Sequence, residues 1–153
     1  MSYTKCNSFQ KMNEMFQKPY LTLEDAIRVL NNCKDEAKKN AWKVAVAVCD
    51  DGGHLMVFER GDDVPQISSG IAINKARTAA MGRRNSGIYE DQINSGRGAL
   101  VTAPEVKALM KGGVPIMFQG FCIGAVGISN LKPNEDEHIA VTGIDQFLSG
   151  KEN

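Results

Sequence analysis

Residues 111–130, KGGVPIMFQGFCIGAVGISN, constrain the fold more than any other stretch of this chain. Glycine at 112, 113, 120, 124 and 127, interspersed with Val and Ile, disfavours a helix. The polar–apolar alternation of a half-exposed strand is missing too. The segment therefore predicts two buried strands, Val114–Phe118 and Phe121–Ser129, with Pro115 near the start of the first and Gln119-Gly120 as the hairpin turn. Simple alternation puts Phe121, Ile123, Ala125 and Gly127 on one face and Cys122, Gly124, Val126 and Ile128 on the other. Gly124 and Gly127 bring no side chain to pack, so another body must approach the backbone closely. That body is a crossing helix, a ligand or a partner subunit.

A second hairpin is written in WKVAVAVCDDGGHLMVFER. Val44, Val46 and Val48 point one way and Ala45, Ala47 and Cys49 the other, and DDGG supplies the tight connection. A strand apolar on both faces belongs in the middle of a sheet covered on each side. Three long helices accompany the hairpins. Thr22 caps the first, with Asp25 as an Asp variant of the capping box and Leu23, Ala26, Ile27, Leu30, Cys33 and Ala37 at helical spacing. The second, QISSGIAINKARTAAMG, turns the small residues Ser69, Ala72, Ile73, Ala76 and Ala80 inward and leaves Asn74, Lys75 and Thr78 on a polar flank. The last, PNEDEHIAVTGIDQFLSG, takes Asn134 as its cap and buries Ala140, Gly143, Ile144 and Phe147. Arg83 to Gly98 reads as an irregular lobe with a short helix, and PEVKALM from Pro104 as a further short helix or turn.

The order is helix, hairpin, helix, lobe, hairpin, helix, which predicts an α+β domain: an antiparallel sheet from two β-hairpins with helices packed against it. Residues 1–20 read as a polar N-terminal arm, with a short helix over Phe9, Met12 and Phe16, and residues 21–150 as one domain. Zero net charge argues against nucleic-acid partners bound through a broad basic surface. No run of about 18 apolar residues exists, so no membrane span is expected. The four cysteines are scattered without a C-x-x-C, and no secretory signal is visible, which favours free thiols and a cytoplasmic location.

His54 and His138 are the only histidines, and no H-x-x-x-H or H-E-x-x-H joins them, so no dedicated metal site is expected. His54 follows the Gly-Gly turn; it is either a surface turn residue or a ligand-binding one. Arg60, Asp62, Asp63 and Lys75 form a second constellation. Brought together near the start of the second long helix, they would either bind a carboxylate or propionate or form a structural ion-pair network that fixes the loop. Catalytic residues remain unassigned: there is no G-x-S-x-G, no P-loop and no kinase signature.

LTLEDA, VAVAVCDDGGHLMVFERGDD, SSGIAINKARTAA, GGVPIMFQGFCIGAVGISN and NEDEHIA occur in this order over residues 21–148. Together they resemble the GlcG/HbpS-like family, which includes the C-terminal domain of PduO-type proteins. The N-terminal arm has no clear counterpart there. The resemblance implies a compact α/β-type fold assembled into homo-oligomers, from dimers to octamers, with haem as a possible cofactor. Family members tend to accompany glycolate, glycerol or diol metabolism. The reading that follows is a cytoplasmic accessory protein that binds a small ligand. The alternative is an enzyme acting on a small hydroxy acid or on haem.

Overall fold

The structure, a computed structural model, describes residues 16–151; the helix expected over Phe9 and Met12 lies outside them. The elements are α1 (Leu23–Lys39), β1 (Ala45–Asp50), β2 (Leu55–Arg60), α2 (Ile67–Gly82), α3 (Gly87–Asn94), a 3₁₀ turn (Gly98–Thr102), β3 (Gly113–Phe118), β4 (Phe121–Ser129) and α4 (Pro133–Ser149). The two hairpins join through β1 and β4 into one antiparallel sheet in the order β2-β1-β4-β3. The doubly apolar β1 is central, as its sequence demands. Its valines Val46 and Val48 join Ile116, Val126 and Ile128 in a core against α1 and α4. Its other face, Ala45, Ala47 and Cys49, joins Ala125 against Ala72, Ala76, Ala79 and Ala80 of α2. The result is three layers, two helices on one face and one on the other.

What approaches the glycines is α2. Gly113 and Gly127 are register partners on neighbouring strands. A methyl group on Gly127 would overlap the Ala72 carbonyl and sit 2.6 Å from the Ala76 amide nitrogen, and one on Gly113 would overlap the Lys75 carbonyl. The helix thus rests on strand backbone rather than on side chains. Gly124 answers to a different pressure: its methyl would lie 2.5 Å from Cys49 O on β1 and 2.9 Å from Leu21 on the α1 side.

Two bulges alter the faces that alternation predicts. Ile116 pairs with Gly124 but Met117 with Cys122, so Ile123 is an extra residue in β4. Ile123 and Phe121 therefore pack on the α1/α4 core rather than beside Ala125, and Cys122 turns to α2, its Sγ 3.7 Å from Ala80 O. In β2, Val57 pairs with Val48 but Leu55 with Cys49, which sends Met56 and Val57 to the same core. Gln119 (φ 50) and Gly120 (φ 81) make the expected tight turn.

The helix ends differ in detail from expectation. Thr22 Oγ1 accepts from Asp25 N at 3.1 Å, as predicted. α4 begins at Pro133, not after Asn134: Pro suits the first helical position, and Glu135 reaches back to accept from Lys132 N at 3.1 Å. Of the short helix or turn expected from Pro104 the structure makes the turn, at Pro104 and Glu105 after the 3₁₀ stretch, and Ala108 beyond it has φ 48. α2 is rotated from its predicted setting, with Ser68, Lys75 and Thr78 buried and Ser69 and Ile73 half-buried. Thr78 is satisfied there: its hydroxyl donates to Lys107 O at 2.6 Å and accepts from Lys107 N at 3.1 Å. Among the described residues no helix is long and apolar enough to cross a membrane.

Gly127→Ala should force α2 off the sheet, because the obstructing atoms are backbone. The expected loss is about 3 kcal/mol, a melting temperature lower by roughly 6–12 °C. Gly120→Ala meets open space and carries only a left-handed φ, so it should cost about 1 kcal/mol. Equal melting curves for Gly127→Ala and the parent chain would contradict this seating of α2.

Candidate functional site

At the β1–β2 turn, Asp50 organises the loop that presents His54. Its Oδ1 accepts from the amides of Gly52 and His54, both at 2.9 Å, and its carboxylate lies 3.1–3.2 Å from His54 Nδ1. Partial burial pushes the Asp50 carboxyl up, but the His54 amide, the His54 ring and the Gly52 amide outweigh it and hold the group below its ordinary range. An ionised Asp50 accepts from Nδ1–H, which leaves the lone pair of a neutral imidazole on Nε2. The ring is 77% exposed, and Nε2 has no hydrogen-bond partner among the described residues. A carboxylate behind the distal nitrogen and an open lone pair in front is the arrangement that orients a metal-ligating histidine. Gly53 (φ 78) lets the turn settle on α2, where a methyl at that position would lie 2.8 Å from Arg77 Cγ and 3.3 Å from Met81 Sδ.

From this turn an uncovered strip runs along β2. α2 lies mainly over β4, β1 and β3 and leaves most of the same face of β2 open. Leu55, Phe58 and Arg60 pair with Cys49, Ala47 and Ala45, so they share that face, and all three are exposed. The exposed Met81 borders the strip at its His54 end. His54 and Arg60 stand at its two ends, about 20 Å apart at ~3.3 Å per residue.

Lys75 is not part of this surface. Its side chain is 4% exposed, and the ammonium donates to Ile128 O and to Asp136 Oδ2, each at 2.9 Å. Asp136 Oδ1 accepts from Leu131 N at 3.2 Å, so both oxygens are engaged. Burial pushes the Asp136 carboxyl up to about 6 against the pull of the Lys75 ammonium. The expected meeting of Lys75 with Arg60 and Asp62 is therefore not what the fold makes. Lys75 is carried inward with α2 and takes its counterion from α4, while Asp63, not Asp62, pairs with a lysine, Lys43, at 2.8 Å. Asp62 lies elsewhere, on the rim of a cleft beside Trp42. His138 bonds Glu36 at 2.8 Å and meets the Trp42 ring edge-on at 6.3 Å. Among the described residues no three His, Cys, Asp or Glu side chains gather into a metal-holding group.

Asp50, Arg77, Met81 and Asp136 escaped the sequence reading. Asp50 carried a usable signal, an acid four residues before His54 across a Gly-Gly turn. Asp136 carried none, since its role exists only once α2 and α4 meet.

Lys75→Met should leave Asp136 buried without its cation and cost about 3–5 kcal/mol near neutral pH. Asp136 titrates higher in the fold than its unfolded value of about 3.9, so the native chain takes up a proton that the unfolded chain has released. Stability from this group is thus present at low pH and lost as pH rises through the folded value. Removing Lys75 raises that value further. Chemical denaturation should show the variant's deficit shrinking as pH falls from about 8 to about 5. A deficit independent of pH would contradict the pairing.

The family described as "Haem degrading protein HbpS-like" matches residues 21–145. Protein GlcG of Escherichia coli K12 is 47% identical over 115 residues, covering 75% of this chain and 85% of GlcG. Among solved structures, Klebsiella pneumoniae protein ORFY superposes with a TM-score of 0.82 at 26% identity, covering 90% of this chain and 97% of that one. The haem complex of PduOC superposes with a TM-score of 0.74 at 25% identity, covering 83% and 94%. With its family match spanning most of its length and nearly half its aligned residues identical to those of GlcG, the chain belongs to the HbpS-like family.

Proposed function

We propose that this protein is a haem-binding, homo-oligomeric accessory protein of the cytoplasm, and that its haem lies on the open strip of β2. The observation that carries the reading is the Asp50–His54 pair, a histidine held by a carboxylate with its second nitrogen facing solvent. The likeness to a protein solved as a haem complex supports it.

The residues fit the group. His54 Nε2 supplies a neutral nitrogen ligand, and Asp50 fixes the tautomer and strengthens the donor. Leu55, Phe58 and Met81 supply exposed apolar surface for a flat macrocycle. Arg77, beside Gly53 at the His54 end, supplies a cation for a propionate. Haem, when bound, supplies an iron centre that takes such a ligand and changes charge by one electron. A strip open to solvent on one chain leaves half of a large apolar ligand wet, so a second copy is expected to cover it. Lys75 has no part in this reading, because its donors are committed to Ile128 and Asp136.

Titration with hemin should give a Soret shift that saturates at a defined ratio to protein. His54→Ala should abolish the shift or weaken binding by more than about 100-fold, and Asp50→Asn should weaken it by about 10–100-fold. Light scattering at micromolar concentration should return a mass above that of one chain. A spectrum indifferent to both substitutions would overturn the site, and a monomer that still binds fully would overturn the role of the second copy.

A further inference from the structure

On the opposite face of the sheet from this strip, a cleft of about 830 Å³ opens between the C-terminal turns of α1 and the ends of β1 and β2. Its floor is apolar: Ala37, Val44 and Val46 reach it and are otherwise buried. Its wall is Trp42, which is held in place from two sides. Ala41 takes a left-handed φ of 56, a conformation that residues other than glycine rarely adopt. This folds the chain back so that Ala41 N donates to Lys38 O at 3.1 Å and Trp42 N to Ala37 O at 2.9 Å. His138, anchored on Glu36, braces the ring from the side. The volume is that of a small-molecule site.

The charges on the rim are partly spent on one another. Lys34 pairs with Glu59 at 2.8 Å, and Lys43 pairs with Asp63 at 2.8 Å. Lys38, Asp35 and Asp62 also line the cleft and have no ion-pair partner among the described residues. Charge of both signs without a direct counterion, Asp62 feeling Lys43 only from beyond ion-pair distance, therefore surrounds an apolar floor and an indole wall. A simple anion would satisfy Lys38 and face two carboxylates. A simple cation would face the lysine. A molecule carrying both charges on an apolar body gives Lys38 and Asp62 a counter-charge each and leaves the exposed Asp35 to solvent.

We propose that this cleft binds a small zwitterion with an apolar body, of the amino-acid kind, with its carboxylate on Lys38, its ammonium on Asp62 and its hydrocarbon against Trp42. The proposal does not depend on haem, and the two sites use opposite faces of the sheet.

Trp42 is the only tryptophan in the chain, so its emission reports on this cleft alone. The probes are L-phenylalanine, phenylethylamine and phenylpropanoate, which share a body and differ in charge. L-phenylalanine should change the emission saturably in the millimolar range. Each singly charged analogue should bind at least about tenfold more weakly, equivalent to ~1.4 kcal/mol. Asp62→Asn should weaken L-phenylalanine and phenylethylamine but spare phenylpropanoate, and Lys38→Met should weaken L-phenylalanine and phenylpropanoate but spare phenylethylamine. Both side chains belong to exposed residues, and unchanged melting curves would show that the variants fold. No saturable change with L-phenylalanine would overturn the proposal. Equal affinities for all three probes, or variants that do not discriminate among them, would overturn it as well, by showing an apolar contact without charge recognition. The hemin titration should be the same for these variants as for the parent chain, so a failure here is distinct from a failure of the haem reading.

Discussion

The seating of α2 on the paired glycines Gly113 and Gly127 decides most of what else this fold contains. With no Cβ on either residue, helix backbone meets strand backbone, and the alanines at 72, 76, 79 and 80 fill what space remains. A helix drawn in this far carries its flanking residues below the surface. Lys75 becomes buried and needs partners, which Ile128 O and Asp136 supply. Gly112, with φ 117, has no room for a side chain because Asp136 and the Lys75 ammonium occupy that space. Ser86 closes the neighbouring gap, accepting from Gly113 N at 2.9 Å and donating to Met110 O at 2.5 Å. One close contact thus dictates a buried ion pair, a special glycine and the anchoring of the loop before β3.

The same contact accounts for the open strip. A single helix centred over β4, β1 and β3 reaches little of β2, so Leu55 and Phe58 remain exposed, while two helices pack on the other face of the sheet. The strip begins at a turn whose chemistry is set locally, by Asp50 gripping the amides and ring of His54. Close packing in one place and exposure in another are consequences of one helix position. The ORFY and PduOC chains share this architecture with the present one to the extent that their superpositions reach.

Much of the architecture was legible in the chain. Apolar runs on both faces of Val44–Cys49 placed β1 at the centre, and Gly124 and Gly127 announced a close neighbour. Faces within strands were less legible, because the bulges at Ile123 and Met56 shift alternation by one residue and no local signal marks them. The rotation of α2 was hidden for a related reason. Amphipathic reasoning sends lysine and threonine outward, yet a helix pressed onto glycine buries a wider arc than the usual apolar stripe. Of the candidate site residues, His54 and Arg60 lie along the strip and Asp62 on the other cleft, and Lys75 is structural in its contacts. Separations of that kind are set by the third dimension and leave no trace in spacing.

The central claim is that a tetrapyrrole meets this protein at the Asp50–His54 turn and along β2. Gallium protoporphyrin is diamagnetic and lets amide chemical shifts be followed residue by residue as it binds. The account predicts perturbations concentrated at His54, Leu55, Phe58 and Arg77, with the Trp42 cleft silent. Shifts centred on Trp42 or on the β3 edge, with the 50–58 segment unmoved, would contradict it.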